Sequence, residues 1–409
     1  MPLSVFSLQD ILYRLDEREP GVFSCWGKEG GFNRYLAFEP VAQFQLTKSN
    51  EKDLWPFLEE NQGNLISFLL SYDYGMLLER VETKEPLPEV LGYFYAYPNW
   101  LDFAEEEEPK LAHPDAALEE RIEAITARRL PREKQQELTF QPSMSLEDYR
   151  PQFERIQEYI RSGDIYQINL TQKLSGHYGG SGADLYYRLL QANFPRFAGF
   201  QQVPPFEFIS MSPESFLETQ GPNIYTRPIK GTRPSGETKE EEIQELRALT
   251  GSKKEEAELF MITDLLRNDL GKSCQVGSVQ VTKQKEIMRL KGVLHSYSEI
   301  QGKLKPGLPP FQALLNAFPG GSITGCPKGR AMEIIEELEP SPRGFYTGSF
   351  GYLDPKGGLH ASIVIRSLMK TGEKVEFHVG GGITLLSELQ NEFEEMEHKK
   401  NSVLARLKQ

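Results

Sequence analysis

The chain has 409 residues, 39% of them apolar and 26% charged, which fits a folded protein of two domains or one large one and excludes a disordered or fibrous chain. A net charge of −13 repels nucleic acid and anionic membrane surfaces, so an anionic ligand would need local basic groups and helix N-termini to bind. Three scattered cysteines (Cys25, Cys274, Cys326), no CxxC pair, no apolar run near the ~20 residues of a bilayer span and no basic leader after Met1 predict a reduced, cytoplasmic protein without structural zinc.

Residues 1–140 read as an N-terminal region of short strands and helices, with aromatic-rich runs at Leu65–Tyr74 and Leu91–Tyr97. The acidic run Glu105–Glu108, a charge-rich helical segment near Ala116–Arg129 and Pro131 mark an excursion or a boundary. The pattern sharpens in the second region, 141–409. Ser145 ahead of Asp148 signals an N-cap, Tyr149, Phe153, Ile156 and Ile160 recur at helical spacing, and Gly163 closes the helix. Tyr166–Thr171 alternates, with Ile168 and Leu170 on one face and Gln167, Asn169 and Thr171 on the other, facing either solvent or a cavity. Further strands are predicted at Phe206–Met211, Asn223–Arg227, Gly277–Thr282, Gly348–Leu353, Ala361–Leu368 and Lys374–Val379. Helices are predicted at Glu240–Thr250, Lys254–Arg267, Pro310–Ala317, Gly329–Glu337 and Leu389–Leu407. No internal repeat is evident, and the mixture lacks strict βαβ alternation, so the class is α+β rather than a doubly wound sheet.

Several segments carry candidate chemistry. Lys230, in Pro228-Ile229-Lys230-Gly231-Thr232, is either a surface lysine in a turn or, if buried, an amine shifted below its free pKa of roughly 10.4 and able to act as a nucleophile. Glu255 with Glu258, and Glu392 with Glu395, place paired carboxylates one turn apart on two helices. Such pairs are either solvated faces or, opposed across a cleft, hard oxygen ligands of the kind Mg²⁺ takes. Gly320–Arg330 is not a phosphate loop, because Cys326-Pro327 follow Gly325 where Lys and Ser/Thr are needed, but its backbone N–H groups can receive a carboxylate at a helix start. Gly380-Gly381-Gly382 after a strand permits close backbone approach to a ligand. Arg366 interrupts an apolar strand and calls for a carboxylate, from the protein or from a ligand. Glu214, in Ser212-Pro213-Glu214 at a strand end, is placed as a general acid, and His295 is a core histidine or a pocket residue. No G-x-C-x-G nucleophile elbow occurs, so nitrogen taken from glutamine would be supplied by another chain as ammonia.

These segments, with Leu266-Arg267-Asn268-Asp269-Leu270, Thr324-Gly325-Cys326-Pro327-Lys328 and Pro342–Gly348 in the same order, resemble the chorismate-utilising enzymes from Ser145 to Arg406. The likeness extends weakly to Tyr35–Pro40 and Leu70–Asp73 in the N-terminal, anthranilate synthase component I-like region. It implies a large sandwich of two antiparallel β-sheets flanked by helices, with 141–409 as the chorismate-binding catalytic domain and the active site between the sheets. Glu258 and Glu395 would hold Mg²⁺, with Glu255 and Glu392 bonding it directly or through water. Arg366, Tyr346 and the Gly380–Gly382 backbone would grip the enolpyruvyl carboxylate, and Lys399 would pair with the metal-bound acids. Thr324 and His295 would line the ring pocket, and Glu214 would protonate the departing C4 hydroxyl.

Two positions discriminate within the family. Isochorismate and salicylate synthases carry a water-activating lysine where Gln167 stands, and anthranilate synthases an alanine where Lys230 stands. The lysine is similar to that of the aminodeoxychorismate synthases, which implies amination of chorismate to 4-amino-4-deoxychorismate on the route to p-aminobenzoate and folate, with ammonia from a glutaminase subunit. Cys326 departs from the more common alanine. Anthranilate synthesis and a non-catalytic chorismate- or tryptophan-binding subunit are the alternatives.

Overall fold

Side chains along Val90–Tyr97 alternate between two destinations: Phe94 and Ala96 join one apolar cluster, Tyr93, Tyr95 and Tyr97 another. That is the signature of a strand covered on both faces. The computed structural model describes residue 11 and residues 21–27, 31–103, 109–127, 138–142, 144–192, 195–236, 238–290 and 293–404. The acidic run Glu105–Glu108, Pro131 and the residues after 404 lie outside the described residues.

Two antiparallel sheets form among the described residues. The first runs, in hydrogen-bonded order, Gly325–Cys326, Gln167–His177, Lys374–Thr384, Ser367–Thr371, Phe206–Ser212, Phe197–Val203, Phe23–Trp26, Tyr35–Ala37, Leu101–Asp102 and Lys110–Leu111, with Thr139–Pro142 also on Gln167–His177. The second runs Ile229–Pro234, Val293–Lys303, Asn223–Thr226, Ser215–Gln220, Leu359–Ile363, Ser349–Leu353, Leu65–Leu70, Val90–Tyr97 and Ala42–Thr47, with Gln280–Leu290 on Val293–Lys303. Strands from the first 111 residues therefore extend both sheets.

Helices cover the outer faces. The helix Leu146–Ser162 is capped at Ser145 by a capping box with Asp148 and stops at the left-handed Gly163, and it buries Tyr149, Phe153 and Ile156. These side chains join those of Gly182–Ala192, Lys328–Leu338 and Leu389–Leu404 over the first sheet. Ile262, Leu266 and Leu270 of the helix Lys253–Ser273 and Phe311 and Leu314 of Pro310–Ala317 cover the second. Between the sheets lies an aromatic layer, where Phe350 meets Phe23 and Phe208 at ring separations of 6.0 and 5.1 Å. No helix among the described residues is long and apolar enough to cross a membrane.

The chain changes sheets twice near one place. Phe206–Ser212 belongs to the first sheet and Ser215–Gln220 to the second, so Pro213-Glu214 is the crossover. The expected single strand Ala361–Leu368 is instead two, Leu359–Ile363 in the second sheet and Ser367–Thr371 in the first. Arg366 is thus not inside a strand but at the bend, with a left-handed φ of 52°. The apolar run Ile363-Val364-Ile365 carries on past the end of the first strand, which hides the break from periodicity. The crossovers are tied together: Ile363 N donates to Glu214 O (3.2 Å) and Met211 N to Arg366 O (3.2 Å).

Candidate active site

Lys230 owes its aim to an irregularity. In the ladder between Ile229–Pro234 and Val293–Lys303, Ile229 pairs with Tyr297 and Thr232 with His295, so three steps on one strand oppose two on the other. The extra residue is a β-bulge, and Gly231 takes the left-handed φ of 82° it needs. A bulge re-aims the neighbouring side chain, here toward the first sheet: a Cβ placed on Gly382 would lie 3.5 Å from Lys230 Nζ and 2.8 Å from Gln167 Nε2. Lys230 is half-buried, and its charge acts on Glu214, Glu258 and Glu395.

Glu214 is buried at the crossover, and burial raises its carboxyl to about 7 against the pull of the Ser322 hydroxyl, Lys230, Arg366 and Lys399. At that value it can hold a proton near neutral pH and release it to a leaving group. His295 is also buried; burial first, then the charges of Arg366 and Arg196, lower its imidazole to about 4, and its Nδ1 lies 2.9 Å from Thr232 Oγ1. The imidazole is neutral at physiological pH.

Gly380–Gly382 lie within the strand Lys374–Thr384, not after it as the sequence suggests, and pair with Asn169–Thr171. A Cβ at Gly380 would come within 2.6 Å of Leu170 O and 2.5 Å of Thr171 Cγ2, so this stretch admits no side chain there. Lys399 Nζ donates to Gly380 O (2.9 Å) and pairs with Glu395 (2.8 Å), joining the glycine strand to the last helix.

Four carboxylates stand on two helices, Leu389–Leu404 packed on this strand and Lys253–Ser273 packed on the strand that carries Lys230. Glu392 is 2% exposed, and Glu258 is largely buried, its carboxyl held above the usual range by burial and by Glu392 and Glu395, against Lys230 and Lys254. Glu255 Oε2 and Glu258 Oε1 are buried without a hydrogen-bond partner, while Glu255 Oε1 meets Arg233 at 3.2 Å. Among the described residues no three His, Cys, Asp or Glu side chains converge closely enough to hold an ion. The donor chemistry nonetheless fits a hard divalent cation: carboxylate oxygens from two helices, two of them buried and unbonded.

Tyr346 is buried and stacked on His378, 4.9 Å between ring centres. Thr324 is fully buried, its hydroxyl donating to Gly320 O (3.1 Å) and its carbonyl accepting from Asn169 N (2.9 Å). Both are tied into the frame around Arg343, a residue to which sequence reasoning gave no role. Arg343 is buried, forks onto Glu339 (2.9 and 2.7 Å), and donates to Ile323 O, Asn169 O and Thr347 Oγ1. Glu339 in turn accepts from Thr171 N and Oγ1. The pair locks the strand facing the glycines, the loop before Thr324 and the turn after Tyr346 into one frame. Its signal was present as an acid, Glu339, four residues before the arginine of Pro342–Gly348. Lys254, four residues before Glu258, was missed as well: its Nζ lies 2.8 Å from Glu392 Oε1.

The chorismate binding enzyme family matches residues 21–405. An aminodeoxychorismate synthase component 1 of Escherichia coli (strain K12) is 36% identical over 359 residues, covering 85% of this chain and 77% of that protein. An anthranilate synthase component 1 of Thermus thermophilus is 33% identical over 369 residues, 86% of this chain and 78% of that protein. The crystal structure of anthranilate synthase component I from Streptococcus pneumoniae superposes with a TM-score of 0.78 at 27% identity, covering 95% of this chain and 94% of that one. With a family match running nearly end to end and a matching two-sheet fold, this chain belongs to the chorismate binding enzymes.

Proposed function

We propose that this enzyme is an aminodeoxychorismate synthase component 1, converting chorismate and ammonia to 4-amino-4-deoxychorismate and water through an adduct of Lys230 at C2. The observation that carries this reading is the place of Lys230, on a bulge beside the glycine strand and within electrostatic reach of buried Glu214. The Lys230 amine adds at C2, the ring double bonds shift, and the C4–O bond breaks as Glu214 protonates the departing hydroxyl. Ammonia then adds at C4, the double bonds shift back, the C2–N bond breaks to release the lysine, and the ammonium formed at C4 returns a proton to Glu214. Arg366, Tyr346 and the Gly380–Gly382 backbone orient the enolpyruvyl carboxylate, and His295 and Thr324 wall the ring. Mg²⁺ held by Glu258 and Glu395, with Glu255 and Glu392, would neutralise the ring carboxylate. A separate cytoplasmic glutaminase subunit is the proposed ammonia source.

Similarity to the Thermus thermophilus protein keeps anthranilate formation as the second reading. Incubation of the purified chain with chorismate, MgCl₂ and ammonium separates the two. The expected product is non-fluorescent, keeps the pyruvyl group by mass, and yields p-aminobenzoate with a lyase. Fluorescent anthranilate with free pyruvate would overturn the reading.

A further inference from the structure

The four carboxylates of the proposed metal site are not left facing one another. Lys254 Nζ lies 2.8 Å from Glu392 Oε1 and 3.9 Å from Glu258 Oε1, so its ammonium bridges acids of both helices. Glu395 is paired with Lys399 and Glu255 with Arg233. Glu258 Oε1, one of the two oxygens nearest Lys254, is buried and unbonded. The ammonium itself is part-exposed and sits on the first turn of the helix Lys253–Ser273, on a flexible stem that can swing outward.

We propose that Lys254 is a tethered counter-cation that neutralises the Glu258–Glu392 pair before metal binds and gives way to the metal as it enters. Two buried acids facing each other repel, and a cation between them removes that cost. A divalent ion placed on the same oxygens must displace the ammonium, or bind beside a positive charge. Both effects weaken metal binding, so the lysine sets the cation concentration at which the site fills, and the site never stands as a bare cluster of acids. The inference rests on the assignment of Mg²⁺ to these carboxylates.

The test is calorimetric titration of the full chain with MgCl₂ alone, without chorismate, for wild type, Lys254→Met and Lys254→Arg. Lys254→Met is expected to bind Mg²⁺ about tenfold more tightly or better, and Lys254→Arg to stay near wild type, because removing a neighbouring unit charge is an effect of at least that size. Melting curves supply a second readout: Lys254→Met should melt lower than wild type without Mg²⁺ and gain more from adding it. Should Lys254→Met not fold, Lys254→Gln replaces it. Unchanged or weaker Mg²⁺ binding in the neutral variant, or equal tightening in Lys254→Arg, would overturn the proposal while leaving the metal assignment standing. No Mg²⁺ binding by any of the proteins would overturn both.

Discussion

The space between the two sheets has two ends built on opposite principles. At one, Phe23, Phe32, Phe197, Phe208, Phe350 and Tyr352 fill it with rings. At the other, where the chain changes sheets, Lys230, Glu214, His295 and Arg366 gather polar and charged groups within electrostatic reach of carboxylates on two outer helices. The aromatic end is served by regular ladders, such as Phe197–Val203 against Phe206–Ser212 without a register break. At the polar end the ladders fail: a bulge at Lys230, another register shift between Ser215 and Leu217, and two sheet crossovers. Regular strands send side chains to faces in strict alternation, which suits a dry layer. Converging functional groups need that alternation interrupted. The aromatic end therefore holds stability, and the polar end holds chemistry at some cost to it.

That division can be broken from either side. The largest effect is expected for Lys230→Ala, which should lower 4-amino-4-deoxychorismate formation by on the order of a thousandfold or more with little change in melting temperature. A variant keeping wild-type turnover would remove the lysine as nucleophile. Glu214→Gln should cost about 10²–10⁴-fold in kcat. Because burial places the Glu214 carboxyl at about 7, its acid form is present below that pH and lost above it. Turnover of the wild type should therefore fall as pH rises through about 7, and the residual rate of the glutamine variant should lack that limb. A shared profile would assign the acid elsewhere. At the other end, Phe350→Ala should cost about 3–5 kcal/mol in denaturant unfolding, from lost burial and an unfilled space, while its folded fraction keeps kcat. A variant that instead loses kcat at unchanged stability would show that the two ends are not separable. The smallest effect, about 1 kcal/mol, is expected for Ser145→Ala, which removes the N-cap of an outer helix.

Legibility in the sequence followed the range of the interactions. The helix over Leu146–Ser162 was readable from Ser145, Asp148, its apolar period and Gly163, because every one of those signals acts within a turn or two. Pro310–Ala317 and the paired acids of Lys253–Ser273 and Leu389–Leu404 were readable for the same reason. The break at Val364–Arg366 was not, since Val364 and Ile365 continue the apolar run past the strand end. Nor was the position of Gly380–Gly382 inside a strand, because glycine there answers to a neighbouring strand rather than to a turn. Arg343 and Lys254 went unread because their partners Asn169, Ile323 and Glu392 lie 20 to 174 residues away.

By itself the sequence determined the family and the elements with strong caps and periods, and offered candidate residues for the chemistry, because periodicity, caps and motif order are local properties. Only the tertiary structure decided that Lys230, Glu214 and the carboxylates share one end of the sandwich, which of them is buried, and which cation each acid meets. Burial and electrostatics at that site depend on distances between segments far apart in the chain, and no local pattern carries those distances.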